Sequence, residues 1–233
     1  VFLMGCEFFF FDSVAEETRR AFASSSLKKL LEELPDFEGV VLIDPLQTDF
    51  YADDFGHHVS QRPLGVLQPR NTADIQKLAR YCFDRQIKLT MRGTGGAAYG
   101  QTQVDQGFVI DSSTLKSARW ASGSLVELDP GLIWKEVLDF TIQQQRTPPV
   151  MPDTIVTSVG GKASVGGIGE TSYCWGSIAD QIAELEMVLA DGQITRCSRT
   201  SQSDLFLSAL GGMGQVGLIT KVVMDTRTVP QQV

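Results

Sequence analysis

The chain has 233 residues, a net charge of −8, 42% hydrophobic residues and 21% charged residues. This composition is typical of a soluble globular protein with one large core or two small ones. The acidic excess argues against nucleic-acid binding, which requires a basic face. The only histidines are His57 and His58, and no C-x-x-C pair occurs, so no metal site is predicted.

The first 61 residues are predicted to form an N-terminal appendage and a loop. Ser26 is expected to cap a short helix, and the apolar stretch 1–11 is too short to cross a bilayer, so no membrane anchor is predicted. Residues 40–43 have strand character. The polar residues 47–62 are expected to run over the surface, which places the first lobe at residues 62–116 and the second at 117–233.

Each lobe is predicted to combine strands with helices. The first is expected to hold a helix capped by Asn71 or Thr72 between short strands. In the second, Asp191-Gly192 predicts a hairpin with both residues at positive φ, so the sheet is expected to be partly antiparallel. Ser203 is expected to cap a helix at 204–210, and a long strand is predicted at 216–224.

Three glycine-rich segments, at residues 91–101, 158–169 and 211–217, contain the candidate binding residues. We call them the first, second and third glycine segments. Such loops expose converging backbone N–H groups that suit a pyrophosphate, and they allow a planar ligand to lie close to the backbone. Tight surface turns are the alternative, but three segments in one chain favour a cofactor site. A Rossmann fingerprint is disfavoured because no helix directly follows the first segment.

Residues 54–230 resemble the FAD-binding domain of the FAD-linked oxidase superfamily, which includes vanillyl-alcohol oxidase and p-cresol methylhydroxylase. The likeness is greatest to cytokinin dehydrogenases and their bacterial relatives. It is carried by residues 63–69, the first glycine segment, Pro152-Asp153 with Val159-Gly160-Gly161, and residues 204–220. The resemblance implies two α+β lobes with FAD between them and its pyrophosphate on the first glycine segment.

The resemblance also implies which residues contact FAD. They are Met91, Gly93, Thr94, Gly95, Gly96, Ala97, Gln101, Asp153, Ser158, Ser164, Ile168 and Ile219. The family often has a His-Ser pair in the first glycine segment, with the histidine bonded to the flavin. Here these positions are Gly96 and Ala97, so FAD is expected to bind non-covalently.

Asp153 matches the family's catalytic residue, which takes a proton from an amine or alcohol while a hydride passes to FAD. By the same resemblance, the substrate is a small molecule and the electron acceptor is oxygen or a quinone. The alternative is that Asp153 only forms an Asx turn. Tyr173 and Trp175 are expected either to stack near the cofactor or to belong to the core, and no role is assigned to the histidines.

In the family, a substrate domain follows the strand that matches residues 216–224. The substrate domain is expected to be absent here, so we expect this chain to be a fragment of a longer oxidoreductase or to receive its cap from another polypeptide. Two alternatives are a flavin-binding module without catalysis and a structural remnant that binds no flavin. A cytoplasmic location is favoured, and the oligomeric state is left open.

Overall fold

The computed structural model describes residues 28–229, which fall into two compact units divided between Asp36 and Phe37. In the first unit, residues 28–32 are helical. The expected cap at Ser26 and the apolar stretch 1–11 lie outside the described residues. No helix within residues 28–229 is long and apolar enough to cross a membrane.

The second unit begins with a four-stranded sheet. Its strands are β1 (Val40–Leu42), β2 (Gly65–Gln68), β3 (Leu89–Arg92) and β4 (Phe108–Asp111), in the order β1-β2-β4-β3. Strands β2, β4 and β3 are parallel, and β1 pairs antiparallel with β2. The predicted lobe boundary at residue 62 excludes β1, whereas in the structure β1 is an edge strand of this sheet.

A helix connects β2 to β3, which run in the same direction with β4 between them, because parallel strands need a crossover connection. After α1 (Pro45–Thr48), this helix is α2 (Thr72–Asp84). Its predicted cap is confirmed, since the Asn71 side chain accepts a hydrogen bond from the Asp74 backbone N–H at 3.1 Å. The buried face includes Ile75, Leu78 and Cys82, as the helical spacing predicts.

The segment between β1 and β2 differs from the surface loop that its polar composition predicts. After α1, a 3-10 turn spans Asp49–Ala52. Tyr51, Ala52 and Asp54 are buried. The surface prediction is wrong at these positions because a polar side chain can be buried when it has hydrogen-bonding partners, which composition does not reveal.

The second sheet contains five strands, β5 (Ala118–Trp120), β6 (Leu125–Leu128), β8 (Ile182–Val188), β9 (Ile194–Ser198) and β10 (Leu218–Asp225). Their order is β5-β6-β10-β8-β9, and all neighbours are antiparallel. A separate antiparallel pair joins β7 (Arg146–Thr147) to β11 (Arg227–Thr228). The α+β class, with a small strand-helix lobe and a larger antiparallel lobe, is confirmed.

Four helices accompany the second sheet, α3 (Trp134–Ile142), α4 (Val159–Val165), α5 (Ser172–Trp175) and α6 (Ser203–Ala209). Two predictions are wrong here. Much of the second glycine segment is the helix α4 rather than a loop. Ser203 lies inside α6, and the residue before that helix, Gln202, has a left-handed backbone with no capping side-chain hydrogen bond.

The hairpin between β8 and β9 is confirmed, although only Gly192 of its two turn residues has a positive φ, at 81°. This turn touches the first lobe. Gln76 of α2 donates a hydrogen bond from Nε2 to the Gly192 carbonyl at 2.8 Å. A Cβ on Gly192 would lie 3.0 Å from the Arg80 Cβ. The glycine therefore serves both the turn and the close approach of α2.

Candidate cofactor site

A cleft of about 400 Å³ is formed by the end of β3, the first glycine segment, α4 and the start of β10. This volume lies within the usual range for cofactor sites. The residues that line it are mostly glycine, small hydroxyl residues and aliphatic residues. They are Leu89, Thr90, Met91, Gly93, Thr94, Gly95, Gly96, Ala97, Ala98, Tyr99, Gln101, Thr102, Ser112, Pro130, Thr157, Ser158, Gly160, Gly161, Lys162, Ser164, Val165, Met213, Gly214, Gly217, Leu218 and Ile219.

The first glycine segment leaves β3 at Arg92 and turns sharply at two glycines. Gly95 and Gly100 have φ values of 72° and 78°, which L side chains rarely adopt. A Cβ on Gly95 would overlap the Arg92 guanidinium, whose Cζ would be 2.7 Å away. The side chain of Arg92 therefore packs directly against the backbone of this segment and supports its conformation.

Residues 53–56 hold the first glycine segment in place, and we call them the clamp. One carboxylate oxygen of Asp54 accepts the Gly100 N–H at 2.7 Å, and the other accepts the Gly56 N–H at 3.1 Å. Phe55 and Gly56 donate their N–H groups to the carbonyls of Gly95 and Ala97 at 3.0 and 3.2 Å. Three backbone N–H groups and two backbone carbonyls, belonging to the clamp and the first glycine segment, are thus hydrogen-bonded.

Sequence analysis assigned no role to the clamp. Its one local signal is Asp54 two residues before Gly56, a spacing at which an aspartate often accepts a backbone N–H. The long-range bond to Gly100 has no such signal, because the two residues are 46 positions apart.

A buried polar cluster contacts the clamp through Arg92. Arg92 donates a hydrogen bond to the Asp53 carbonyl and lies 5.0 Å from the centre of the Phe50 ring. Burial lowers the pKa of Arg92, while the nearby carboxylates of Asp111 and Asp54 oppose that shift. Tyr51 donates to Asp111 at 2.7 Å, and burial together with this hydrogen bond raises the pKa of Tyr51 to about 12.

The first glycine segment packs against the start of α4. A Cβ on Gly93 would overlap Ser158 Oγ and lie 2.9 Å from Ser158 Cβ, so only glycine allows this approach. Ser158 also caps α4, accepting the Gly161 N–H at 3.3 Å. In contrast, a Cβ on Gly96 would meet no atom closer than 3.9 Å, from Thr157. Position 96 therefore has room for a ligand or a side chain.

The third glycine segment is joined to the other end of α4. The Met213 N–H donates to the Ser164 carbonyl at 2.8 Å, and the Gly211 N–H donates to the Ala163 carbonyl at 3.2 Å. This segment then leads to Leu218 and Ile219 at the start of β10, which line the cleft. The structure thus brings all three glycine segments to one site.

Ten of the twelve residues predicted to contact the cofactor line the cleft. They are Met91, Gly93, Thr94, Gly95, Gly96, Ala97, Gln101, Ser158, Ser164 and Ile219. Asp153 and Ile168 do not line it. Asp153 is exposed and accepts the Thr154 N–H at 2.9 Å, and Ile168 is 77% exposed.

The aromatic candidates lie apart from the cleft. Tyr173 is 87% exposed, so it does not belong to the core. The Trp175 ring is 3.3 Å from the guanidinium carbon of Arg227. His57 lies 2.7 Å from an Asp53 carboxylate oxygen. No group of His, Cys, Asp and Glu side chains suitable for a metal occurs among residues 28–229.

Such a cleft suits a large anionic cofactor. Glycines at close approach expose backbone amides, the space beside Gly96 is open, and none of the described lining residues is acidic. Ser158, Ser164 and Gln101 offer polar groups for hydroxyl or phosphate oxygens. The fold and the site together define a nucleotide-cofactor-binding domain.

Comparison with known proteins specifies the cofactor. Residues 63–198 match the family described as FAD binding domain. The chain is 37% identical over 186 residues to an uncharacterised oxidoreductase of the fasciation locus of Rhodococcoides fascians. The alignment covers 80% of this chain and 42% of the relative. It is 30% identical over 204 residues to cytokinin dehydrogenase 3 of Arabidopsis thaliana, covering 84% of this chain and 39% of that protein.

The structure also resembles 6-hydroxy-D-nicotine oxidase of Arthrobacter nicotinovorans. The TM-score is 0.76 at 22% identity, over 85% of this chain and 44% of the oxidase. The chain therefore belongs to the FAD-binding domain family, within the FAD-linked oxidase superfamily that the sequence predicted, and its cofactor is FAD. It spans less than half the length of these relatives.

Proposed function

We propose that this chain is the FAD-binding part of an oxidoreductase that oxidises a small amine or alcohol, in the manner of cytokinin dehydrogenases. The observation that carries the proposal is the convergence of the three glycine segments on one cleft that fits FAD. Bound FAD supplies a hydride acceptor in this class of chemistry. The similarity to cytokinin dehydrogenase 3 favours an amine substrate. Oxygen or a quinone is proposed as the final electron acceptor.

The chain's own groups have distinct parts in this proposal. The first glycine segment, held by the clamp, presents backbone N–H groups to the cofactor phosphates. Ser158 at the N-cap of α4, Ser164 within α4 and Ile219 on β10 orient the remainder of FAD in the cleft. Residues 62–116 and 117–233 are proposed as the two lobes that contribute these elements.

Asp153 is proposed as the base that takes a proton from the substrate. It is exposed in the turn that leads to Thr157, a residue of the cleft wall, and its carboxylate accepts the Thr154 N–H at 2.9 Å. That hydrogen bond uses one oxygen, Oδ1, and no described partner occupies the second. The second oxygen is therefore available to a substrate.

Asp153→Asn is expected to retain FAD but to slow substrate-driven flavin reduction by about 10²- to 10⁴-fold, because the amide keeps the shape and removes the base. The measurement is the loss of flavin absorbance after anaerobic mixing with a cytokinin-like amine, in the protein that carries this domain. Asp139→Asn, an exposed change on α3, is the control. Equal reduction rates in Asp153→Asn and the unaltered protein would limit Asp153 to its turn.

We expect the flavin to be released by acid precipitation, because Gly96 and Ala97 carry no nucleophile that could bond to it. The yellow colour should appear in the supernatant, with none in the protein pellet. Colour that stays with the pellet would contradict the non-covalent proposal. In that case peptide mapping should begin with Cys174, an exposed cysteine.

A second candidate function is flavin binding without catalysis. The position of Asp153 favours it, because this residue is exposed and does not line the cleft. Under this alternative the purified protein is yellow, but neither amines nor alcohols bleach it under anaerobic conditions. Bleaching by any such substrate would exclude it.

A further inference from the structure

One lysine in the cleft has no side-chain partner within the part of the chain that the structure describes. Lys162, on α4, is the only charged side chain among the described residues that line the cleft. It is half-buried. Within residues 28–229 its amino group makes no ion pair or side-chain hydrogen bond, and no acidic residue of that range lines the same cleft.

Two other lysines of the chain are paired. Lys116 lies 2.7 Å from Glu136, and Lys135 lies 2.6 Å from Asp139. Both are on the surface, where an unpaired lysine would lose little because water solvates it. Lys162 is more enclosed than Lys135, and a cation that loses part of its hydration is stabilised when a ligand supplies an anion.

The position of Lys162 on α4 restricts where such an anion would lie. Lys162 is four residues after Ser158, so the two residues share one face of the helix. Ser158 on that face packs against Gly93, at the start of the first glycine segment. Lys162 therefore extends from the helix face that borders the segment whose backbone N–H groups are available to an anion.

We propose that Lys162 binds the pyrophosphate of FAD, with its Nζ donating hydrogen bonds to phosphate oxygens. The glycine backbone contributes only partial charges, whereas Lys162 contributes a full positive charge against the double negative charge of the pyrophosphate. In an acidic chain with a net charge of −8, this local cation offsets long-range repulsion of the cofactor. The inference rests on the FAD site and not on the proposed reaction.

The test compares ligands with and without phosphate on the flavin-free chain. Flavin fluorescence gives the Kd of FAD and riboflavin, and calorimetry gives the Kd of ADP and adenosine. We expect Lys162→Gln to weaken FAD and ADP about tenfold, the usual effect of losing one charge-assisted hydrogen bond, and to leave riboflavin and adenosine unchanged. Added salt should weaken ADP binding to the unaltered chain more than to the variant.

Two further variants serve as controls. Lys162→Arg retains the charge and should keep most of the ADP affinity. Lys135→Gln removes a surface lysine and should leave the Kd of all four ligands unchanged. If Lys162→Gln lost as much affinity for adenosine as for ADP, the proposal would be overturned, because such a loss would come from altered packing and not from the missing charge. So would unchanged ADP binding with a lowered flavin reduction potential, which places the lysine at the ring. Failure of the unaltered chain to bind FAD or ADP would refute the phosphate site itself, whereas absent turnover bears only on the proposed reaction.

Discussion

Gly93→Ala is expected to remove most of the FAD affinity of this chain. The added Cβ would overlap Ser158 Oγ and lie 2.9 Å from Ser158 Cβ. Ser158 caps α4, so the backbones at positions 93 and 158 cannot move apart freely. Overpacking of this kind costs about 1–3 kcal/mol. Here the strain falls on the contact between the first glycine segment and α4, so FAD binding should weaken about 5- to 150-fold. Titration of the apoprotein with FAD, followed by flavin fluorescence, measures the change.

Gly96→Ala is the matched control for that prediction. It adds the same methyl group three residues further along, where the nearest atom to the new Cβ is 3.9 Å away. Its FAD affinity should fall less than that of Gly93→Ala, because the new methyl strains no protein contact and the family often accommodates a histidine beside the flavin at this position. If both variants bind FAD equally well, close packing against Ser158 does not shape the site.

Asp54→Ala is expected to release the first glycine segment from the clamp. The buried carboxylate accepts the N–H groups of Gly100 and Gly56, and its loss leaves both without that acceptor. An unsatisfied buried donor costs about 1–3 kcal/mol, so the free energy of unfolding should fall by at least that amount. FAD affinity should fall about tenfold or more, because the segment must then be ordered by the cofactor itself. Urea denaturation and FAD titration measure the two effects.

Asp54→Asn and Asp105→Asn make this test specific. The amide of Asp54→Asn retains one acceptor oxygen and should lose less affinity than the alanine variant. Asp105 is exposed, so its replacement tests only the removal of one negative charge near the segment. If Asp105→Asn weakens FAD binding as much as Asp54→Ala, the clamp is not the cause.

The cofactor residues could be inferred from sequence where the requirement is local. A backbone that must approach a ligand or another backbone closely needs glycine, and glycine clusters are visible in any sequence. That is why the first glycine segment was predicted as a binding loop, and most of its residues line the cleft. The contacts of Ser158 and Ile219 were implied by the resemblance, and both residues also line the cleft. Asp153 and Ile168 depended on the resemblance alone, and in the structure they lie outside the cleft.

The second glycine segment shows why local preference can mislead. Its glycines disfavour a helix, yet residues 159–165 are helical. Val159 and Ala163 are buried, and a Cβ on Gly160 would lie 2.8 Å from Pro130, so this glycine allows the helix to pack closely. Tertiary packing overrides the unfavourable propensity because most helix stability in proteins comes from packing.

The sequence by itself determined the α+β class, most of the strands and helices, and the glycine segments that make an FAD site. These features depend on short-range periodicity, turn chemistry and motif order, which neighbouring residues encode. Only the tertiary structure decided that Asp54 holds the first glycine segment and that Lys162 lines the cleft without a side-chain partner among residues 28–229. The physical reason is that such contacts join residues far apart in the chain, and the geometry that creates them exists only after the two sheets and α4 have packed together.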